Sequence, residues 1–562
     1  MRAKLLFDRE KLRTAHALTL TVAAFAMIFV NGCDAPRPAA NQPEVTAMGE
    51  TVLRKGNGAE PQTLDPHRAQ GVPEANILRD LYEGLVSEAP DGSLVPGAAA
   101  RWEVSPDGKV YTFHLRRNAH WSNGAPLTAG DFVYSLRRSV DPATGSSYAA
   151  ILSPIRNAVA IINGERPPEA LGVQAMGRHS LKITLESPTP YFLGLLTHTT
   201  TYPVYRPAVT RFGAAFTQPG NNVSNGAYTI HEWVVASHVT LRRNPRYWDD
   251  ANTRIGTVTY FGIDDQEAEL RRYRAGELDW TSTVPLGQLA WVRQHLRDEY
   301  RAAPYLGTYY YGLNLTRPPF EDDRALRNAL SLAIDRDILV GKVTRGGEIA
   351  AYGWVPPGVD NYSGQTVAYS AWPRPKQIQQ ARRLYRQAGY SRARPLKLEI
   401  RYNTSDAHQK IAVVIASMWR EVLGVDTTLV NEEWKVFLQN VQQRRVTQVY
   451  RASWIGDYND AHSFAELLHS RFGLNGTGYA NFRYDRLLER AARENDQRRR
   501  RALLQQAERV LLADHALIPL YYYISKRLLK PYVKGYRDNV MDRHYTKNLR
   551  IKVPAKIRER HD

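Results

Sequence analysis

The sequence predicts an α/β protein of several domains without internal repeats, on three observations. The chain of 562 residues is long enough for three or four domains of ordinary size. Its C-terminal half alternates between helical and strand periodicity, and its N-terminal half contains short strand-like runs separated by turn residues. No internal repeat at a fixed period is visible.

The alternation is clearest between residues 376 and 453. The pattern predicts three helices: one over 376–388, one that is capped by Ser405 or Asp406 and ends at Gly424, and one that begins near Trp434. It predicts strands over 396–402, 425–430 and 446–454. Such βαβ units form sheets whose ligands lie beyond the carboxyl ends of the strands. The last predicted strand places Trp454 and Asp457 at this carboxyl end of the sheet.

Residues 50–310 carry shorter strand-like runs, such as 110–116 and 181–185. Turn clusters rich in Ser, Pro, Asn, Asp and Gly separate them, for example at 105–108 and 122–124. We therefore expect a mixed, mostly β-rich α/β structure in this part of the chain.

The N-terminus has the layout of a secretory signal. A basic start precedes an apolar run from Ala15 to Val30, which is shorter than the roughly 20 residues of a membrane-spanning helix. Val30-Asn31-Gly32-Cys33 resembles the lipobox of bacterial lipoproteins, so we predict a signal peptide over 1–32 and lipidation of Cys33, with a flexible tether over 33–49. Asp34 resembles the signal that keeps such lipoproteins on the inner membrane of Gram-negative bacteria.

Charge and cysteine content narrow the function classes. Cys33 is the single cysteine, so the exported chain folds without disulfides. The net charge of +19 is compatible with nucleic acid, anionic lipid or an acidic partner. The basic residues are dispersed, apart from a run at 498–501 that is typical of a solvated helix face, and we predict no nucleic-acid partner. No cofactor and no metal site are predicted.

Asp457 stands among aromatic residues at the end of a predicted strand, between Trp454 and Tyr458. A carboxylate and aromatic faces both favour an ammonium group once water is excluded. This pattern indicates a receptor for an amine. The alternative is an aspartate that caps a turn beside ordinary core aromatics.

The chain resembles the family 5 extracellular solute-binding proteins, among them the peptide-binding subunits of ABC importers. The resemblance covers nearly all of the mature chain and is carried by the segments 60–67, 102–121, 127–132, 225–228, 243–248, 402–406 and 481–485. It implies the two-lobed periplasmic-binding-protein fold of type II, with ligand enclosed between the lobes by hinge closure. The implied domains are a lobe 1 core (50–82, 207–308 and 525–562), an extra lobe 1 subdomain (83–206) and lobe 2 (309–524), with crossings near 308 and 524.

The resemblance also implies roles for single residues. In the family an extended peptide pairs its backbone with strands of both lobes, so broad sequence tolerance follows. Asp457 is expected to pair with the peptide α-ammonium, and backbone groups of Ser453, Ile455 and Val72 to pair with the peptide. The aromatic positions that match pocket walls or backbone contacts are Trp454, Trp434, Tyr148, Tyr310 and Tyr523.

Two basic positions, Arg451 and His408, match residues that meet the peptide carboxylate. For the aromatic residues the alternative is core packing, and for His408 it is a local bond at the start of a helix. The implied partners are an oligopeptide and the permease subunits of an ABC transporter, for a monomer lipid-anchored in the periplasm.

Two departures from close relatives bear on specificity. Gln70 stands where they carry an acidic residue, and Val441 falls about where a relative's arginine reaches the ligand, with Arg444 and Arg445 following. Preferred peptide length stays open, and murein tripeptide is an alternative ligand.

The competing class is a periplasmic hydrolase. His231-Glu232 is followed by Val235 where a zinc motif needs histidine, and no G-x-S-x-G occurs. Asp264 and Asp265 have no matching acid visible in the sequence. The sequence therefore favours a receptor over an enzyme, while a binder of nickel chelate, haem or sugar stays a third possibility on the same scaffold.

Overall fold

The structure is a computed structural model that describes residues 43–45, 51–360 and 362–553. The predicted signal peptide and Cys33 lie outside the described residues, as does most of the predicted tether.

The strands of the described residues, in chain order, are β1 Glu44–Val45, β2 Thr51–Gly56, β3 Val86–Glu88, β4 Leu94–Pro96, β5 Ala99–Val104, β6 Val110–Leu115, β7 Val173–Ala175, β8 Ser180–Thr184, β9 Tyr228–Val234, β10 His238–Arg243, β11 Thr257–Phe261, β12 Tyr300–Leu313, β13 Ile349–Ala350, β14 Lys397–Asn403, β15 Asp426–Glu432, β16 Val449–Ile455, β17 Leu517–Leu528, β18 Val533–Lys534 and β19 Arg550–Ile551.

The α-helices are α1 Val72–Leu81, α2 Ala129–Val140, α3 Ala158–Ile162, α4 Phe192–Leu195, α5 Arg206–Phe212, α6 Gln266–Arg274, α7 Leu289–His295, α8 Arg324–Ala333, α9 Arg336–Ile338, α10 Arg374–Gln387, α11 Asp406–Leu423, α12 Trp434–Gln443, α13 Ala461–Glu466, α14 Phe482–Ala492 and α15 Gln497–Asp514. None of these helices combines the length and the apolar character needed to cross a bilayer.

Three larger sheets organise the molecule. A five-stranded sheet has the order β1-β2-β11-β10-β9, a four-stranded sheet the order β5-β6-β8-β7, and a six-stranded sheet the order β13-β17-β12-β16-β14-β15. We call the part that contains the first two sheets lobe 1 and the part that contains the six-stranded sheet lobe 2. β1 pairs with β2, and Glu44 forms an ion pair of 3.3 Å with Arg54. This end of the predicted tether is therefore built into the lobe 1 sheet, contrary to expectation.

The helices and strands predicted between 376 and 453 are confirmed within a few residues. The end of α11 shows the physical reason, since Gly424 adopts a left-handed φ of +82° and its N–H bonds the carbonyl of Arg420 at 2.9 Å. The strands β14, β15 and β16 are parallel to one another, as βαβ units require.

Helices cover both faces of the six-stranded sheet. On one face Trp419 of α11 lies edge to face with Tyr311 of β12, and on the other Trp354 lies edge to face with Tyr310. Both tryptophans are fully buried, so lobe 2 is a three-layer α/β domain with its core on both sides of the sheet.

Two long strands, β12 and β17, connect the lobes. They pair with each other within lobe 2, and the end of β17 reaches lobe 1 through bridges from Leu529 to Trp280 and from Trp280 to Lys55. Both positions expected for the crossings, 308 and 524, lie in these strands, and their register shifts between Pro304 and Thr308.

Candidate functional site

β16 has an open edge beside the cleft. One side of the strand pairs with β12 along its whole length, from Leu313 opposite Val449 to Gly307 opposite Ile455. The other side pairs with β14 only at Val449 and Tyr450, so the two strands separate beyond that point.

The direction of the free backbone groups follows from strand alternation. Gly456 N–H donates to the carbonyl of Leu306 at 2.9 Å, on the β12 side. Because successive residues of a strand direct their N–H and C=O groups to opposite sides, Ser453 and Ile455 direct theirs to the open edge. These groups are available to an added strand.

Asp457 lies two residues beyond this edge. Its backbone N–H donates to Ser463 Oγ at 2.7 Å, and Arg543 Nη2 donates to its carbonyl at 2.5 Å. The residue is only 8% exposed. Burial raises the pKa of the Asp457 carboxyl to about 8, an effect that the charge of Arg543 opposes and the charge of Glu466 reinforces. A nearby cation would stabilise the ionised form of this buried carboxyl.

Aromatic side chains from both lobes surround Asp457. Tyr148 of lobe 1 stacks with Trp454 of lobe 2 at 6.4 Å between ring centroids, and both rings stand edge to face with Phe472. Tyr148 and Trp454 are each 6% exposed. The Trp454 indole N–H donates to the carbonyl of Ser463 at 2.7 Å, which fixes its ring. The carboxyl is therefore enclosed by both lobes together.

His198 is a site residue that the sequence analysis missed. Its ring packs against that of Tyr148 in a tilted arrangement, with 4.6 Å between ring centroids, and its Nε2 lies 3.4 Å from Asp457 Oδ1. Its Nδ1 accepts from Thr200 N–H at 3.3 Å, so the single proton of a neutral ring is on Nε2, facing the carboxyl. Burial, with the charges of Arg543 and Arg79, holds the pKa of His198 well below its ordinary value. No local motif marks His198, which lies 259 positions before Asp457 and approaches it only through the fold.

Arg451 forms a second polar centre at the other end of the open edge. Its guanidinium donates to Asn403 Oδ1 at 3.1 Å, to Tyr523 Oη at 3.2 Å and to Ser453 Oγ at 3.3 Å. All three acceptors are neutral, and no carboxylate of the described residues lies within ion-pairing distance. Arg451 is 8% exposed, and its Nε has no hydrogen-bond partner among the described residues. A buried arginine without a counter-ion indicates a place for an anionic group.

His408 belongs to the same centre. Its Nδ1 lies 3.2 Å from the hydroxyl of Tyr309, and the guanidinium of Arg451 lies over the Tyr309 ring at 5.0 Å. Burial, followed by the charge of Arg451, holds the pKa of His408 well below its ordinary value. At neutral pH this centre therefore offers the fixed charge of Arg451 beside an uncharged imidazole.

The other predicted residues are placed as follows. Tyr310 and Trp434 line a cavity of about 370 Å³ together with Ser453 and Trp454. Val72 is the first residue of α1 and is 47% exposed. It does not line this cavity, whereas Gln70 of the same segment does.

Comparison with known proteins gives the family. Residues 93–475 match the family described as bacterial extracellular solute-binding proteins, family 5. The periplasmic oligopeptide-binding protein OppA of Escherichia coli strain K12 is 43% identical over 511 residues, which is 90% of this chain and 94% of that protein. The periplasmic murein peptide-binding protein MppA of the same strain is 40% identical over 517 residues, 91% of this chain and 96% of that protein.

Solved structures match over similar lengths. The E. coli murein tripeptide binding protein MppA superposes with a TM-score of 0.87 at 39% identity, over 89% of this chain and 98% of that chain. Haemophilus influenzae OppA in complex with RPPGFSPFR superposes with a TM-score of 0.87 at 38% identity, over 91% and 100% of the chains.

The unliganded open form of MppA matches less well, with a TM-score of 0.64 at 39% identity over 89% and 97% of the chains. Identity and coverage barely differ from those of the first MppA structure, so the difference lies in the arrangement of the parts. The lobes of this protein are therefore arranged less like that open form than like the other two structures.

Proposed function

The chain belongs to family 5 of the bacterial extracellular solute-binding proteins, and on that premise we propose that it captures short oligopeptides in the periplasm for an ABC importer. One observation carries the proposal. Beyond Tyr450, one edge of β16 pairs with no strand of the described residues, and it ends at a buried carboxyl, Asp457, in a cleft lined by both lobes.

The open edge supplies affinity that does not depend on sequence. An extended peptide that pairs with the N–H and C=O groups of Ser453 and Ile455 becomes an added strand of the lobe 2 sheet. Every peptide carries the same backbone groups, so these bonds form whatever the side chains are. Val72 of lobe 1 is proposed to pair with the peptide from the opposite side.

The ammonium group of the peptide is proposed to pair with Asp457. An isolated ionised carboxylate is costly in a buried site, as its raised pKa indicates, and a neighbouring cation removes that cost. Tyr148 and Trp454 exclude water from the pair, and His198 Nε2–H faces the same carboxyl. Because these residues come from both lobes, recognition of the ammonium group and closure are one event.

The peptide carboxylate is proposed to meet Arg451, with His408 and Tyr523 beside it. The distance along the open edge from Asp457 then sets which peptide lengths bring the carboxylate to Arg451. Tyr310 and Trp434 are proposed as walls for peptide side chains. The same elements suit a murein tripeptide, which remains the second candidate because MppA is similar in sequence and structure to this chain.

The cellular context is proposed from the sequence pattern and the relatives. The relatives compared above are periplasmic binding proteins. We propose that the signal peptide 1–32 directs export, that Cys33 is lipidated and anchors a monomer to the inner membrane, and that the closed protein delivers peptide to the permease subunits. No catalytic step is proposed, and turnover of a bound peptide would contradict a purely receptor role.

Two measurements test the proposal. Native mass spectrometry of protein purified from its own periplasm identifies the ligand it carries, and a short peptide is expected. Isothermal titration with trialanine and with its N-acetylated form tests the ammonium pair, and the acetylated peptide is expected to bind at least a hundredfold more weakly. Equal affinities for the two peptides would refute the assignment of Asp457.

A further inference from the structure

The cavity beside the open edge has an unusual charge content. The charged residues that line its volume of about 370 Å³ are Arg444, Arg451 and Arg471. No aspartate, glutamate or lysine of the described residues lines it. Lobe 1 contributes the neutral amide of Gln70 to the wall. The cavity is therefore lined by positive charge alone.

The cavity lies where side chains of an added strand would point. Trp454, Ala452 and Tyr450 line it and alternate along β16, so they share one face of the strand. A peptide paired with the open edge directs every second side chain to the same face. This step rests on the proposed function, since it requires a peptide in the extended form.

Arg444 is held in place by its backbone. It ends α12 with a left-handed φ of +57°, and its N–H bonds the carbonyl of Asn440 at 3.0 Å. Its own carbonyl accepts from Asn314 Nδ2 at 2.7 Å. Gly478 leaves room for the side chain, because a Cβ there would lie 2.6 Å from Arg444 Nη1. No carboxylate of the described residues pairs with this guanidinium.

Arg471 is paired only at the surface. Its Nη2 lies 2.8 Å from Glu489 Oε1, but the two side chains are 57% and 40% exposed. Exposed pairs of this kind are weak because water screens them, so Arg471 is available to a better enclosed anion.

Nearby carboxyl groups do not cancel this charge. Glu432 forms an ion pair with Arg401, and Glu74 is fully buried and is absent from the cavity wall. The rim is closed by lobe 1, since Gln442 Nε2 donates to Ser147 Oγ at 3.1 Å. An anion in the cavity would therefore meet Arg444, which forms no ion pair among the described residues, and Arg471, whose ion pair with Glu489 is exposed to solvent.

We propose that this cavity selects an acidic side chain, so that peptides with aspartate or glutamate at one of their first three positions are the preferred ligands. The apolar wall of Trp434, Phe437 and Phe472 packs against the methylene groups of that side chain, and Arg444 and Arg471 bind its carboxylate.

The test uses nine tripeptides, in each of which Glu, Gln or Lys replaces one of the three alanines of trialanine. Isothermal titration measures the affinity of the full chain for each peptide. At one position Glu is expected to bind at least tenfold more tightly than Lys, with Gln between them, and at the other two the three peptides should agree within threefold. In the double variant Arg444→Gln, Arg471→Gln the ratio of Glu to Lys affinity should fall to below threefold. The double variant Arg297→Gln, Arg498→Gln makes the same change of charge at exposed residues and should keep the wild-type ratio.

The outcomes separate this inference from the proposed function. The inference is wrong and the receptor role stands if trialanine binds but Glu is preferred over Lys at no position. The same holds if the control double variant lowers the ratio of Glu to Lys affinity as much as Arg444→Gln, Arg471→Gln does. If no peptide binds, both fail. Circular dichroism and the melting temperature of each variant show whether it is folded. If the double variant Arg444→Gln, Arg471→Gln is unfolded, the single variant Arg471→Gln, at an exposed side chain, is expected to lower the ratio of Glu to Lys affinity by at least twofold. An unchanged ratio in that variant overturns the inference.

Discussion

The two ends of the open edge of β16 are built differently. Around Asp457 the walls come from both lobes, with Tyr148, His198 and Arg543 from lobe 1 and Trp454 and Phe472 from lobe 2. Around Arg451 the contacts described above, to Asn403, Ser453, Tyr523 and Tyr309, all lie within the six-stranded sheet.

This difference separates two tasks. A charge enclosed by both lobes is sensed only when the lobes close, so the end with Asp457 couples occupancy to closure. A charge held by contacts within one lobe keeps those contacts whether or not the lobes close, so we expect the end with Arg451 to add affinity without governing closure. The structure therefore predicts an obligatory ammonium end and a tolerant carboxylate end.

Removing the charge of Asp457 should have the largest effect. Asp457→Asn keeps the volume but leaves the peptide ammonium buried without a counter-ion, so trialanine should bind about a hundredfold or more weakly, a loss of about 3 kcal/mol. Isothermal titration measures it. Asp298→Asn, at an exposed site, is the control and should bind as the wild type does. A loss of less than fivefold in Asp457→Asn would remove the contrast between the ends.

Removing the charge of Arg451 should have a smaller effect that depends on the peptide terminus. Arg451→Gln is expected to weaken a tripeptide with a free carboxylate about tenfold, because one charge-assisted hydrogen bond is lost. A C-terminally amidated tripeptide should be affected much less. If both peptides lose the same affinity, Arg451 has a structural role instead. Arg297→Gln, at an exposed residue, is the matched control.

The smallest expected effect is a pH dependence of closure in the empty protein. Burial in this arrangement raises the pKa of Asp457 to about 8, and we expect a value nearer the ordinary one, about 4, when the lobes are apart, so the closed form favours the protonated carboxyl. Closure of the empty lobes carries no penalty from this group below about pH 4, and the penalty grows as pH rises towards 8. The radius of gyration from small-angle X-ray scattering should therefore increase across this range.

Asp457→Asn provides the control for that measurement, since it cannot titrate at this position. The difference between wild type and variant isolates the contribution of Asp457 from those of all other titratable groups of the chain. Identical pH profiles would show that closure does not depend on this carboxyl. A bound peptide should also remove the dependence, because its ammonium stabilises the ionised form.

Much of lobe 2 was predictable from the sequence because its elements are strongly periodic and end in clear signals. Gly424 ends α11, and Ser405 and Asp406 stand at its start, as the pattern indicates. The position of Asp457 beyond the end of β16 follows from the same periodicity. The tether was predicted incorrectly at its end, because proline and alanine content does not reveal that Glu44 and Val45 pair with β2.

The sequence by itself determined the fold class, the family and the residue types at the two ends of the site, because local periodicity and short motifs are properties of neighbouring residues. Only the tertiary structure decided that His198 and Arg543 approach Asp457, that Arg451 has no counter-ion among the described residues, and that β16 separates from β14 after Tyr450. These features depend on contacts between residues far apart in the chain, and the burial that raises the pKa of Asp457 is likewise a product of tertiary packing.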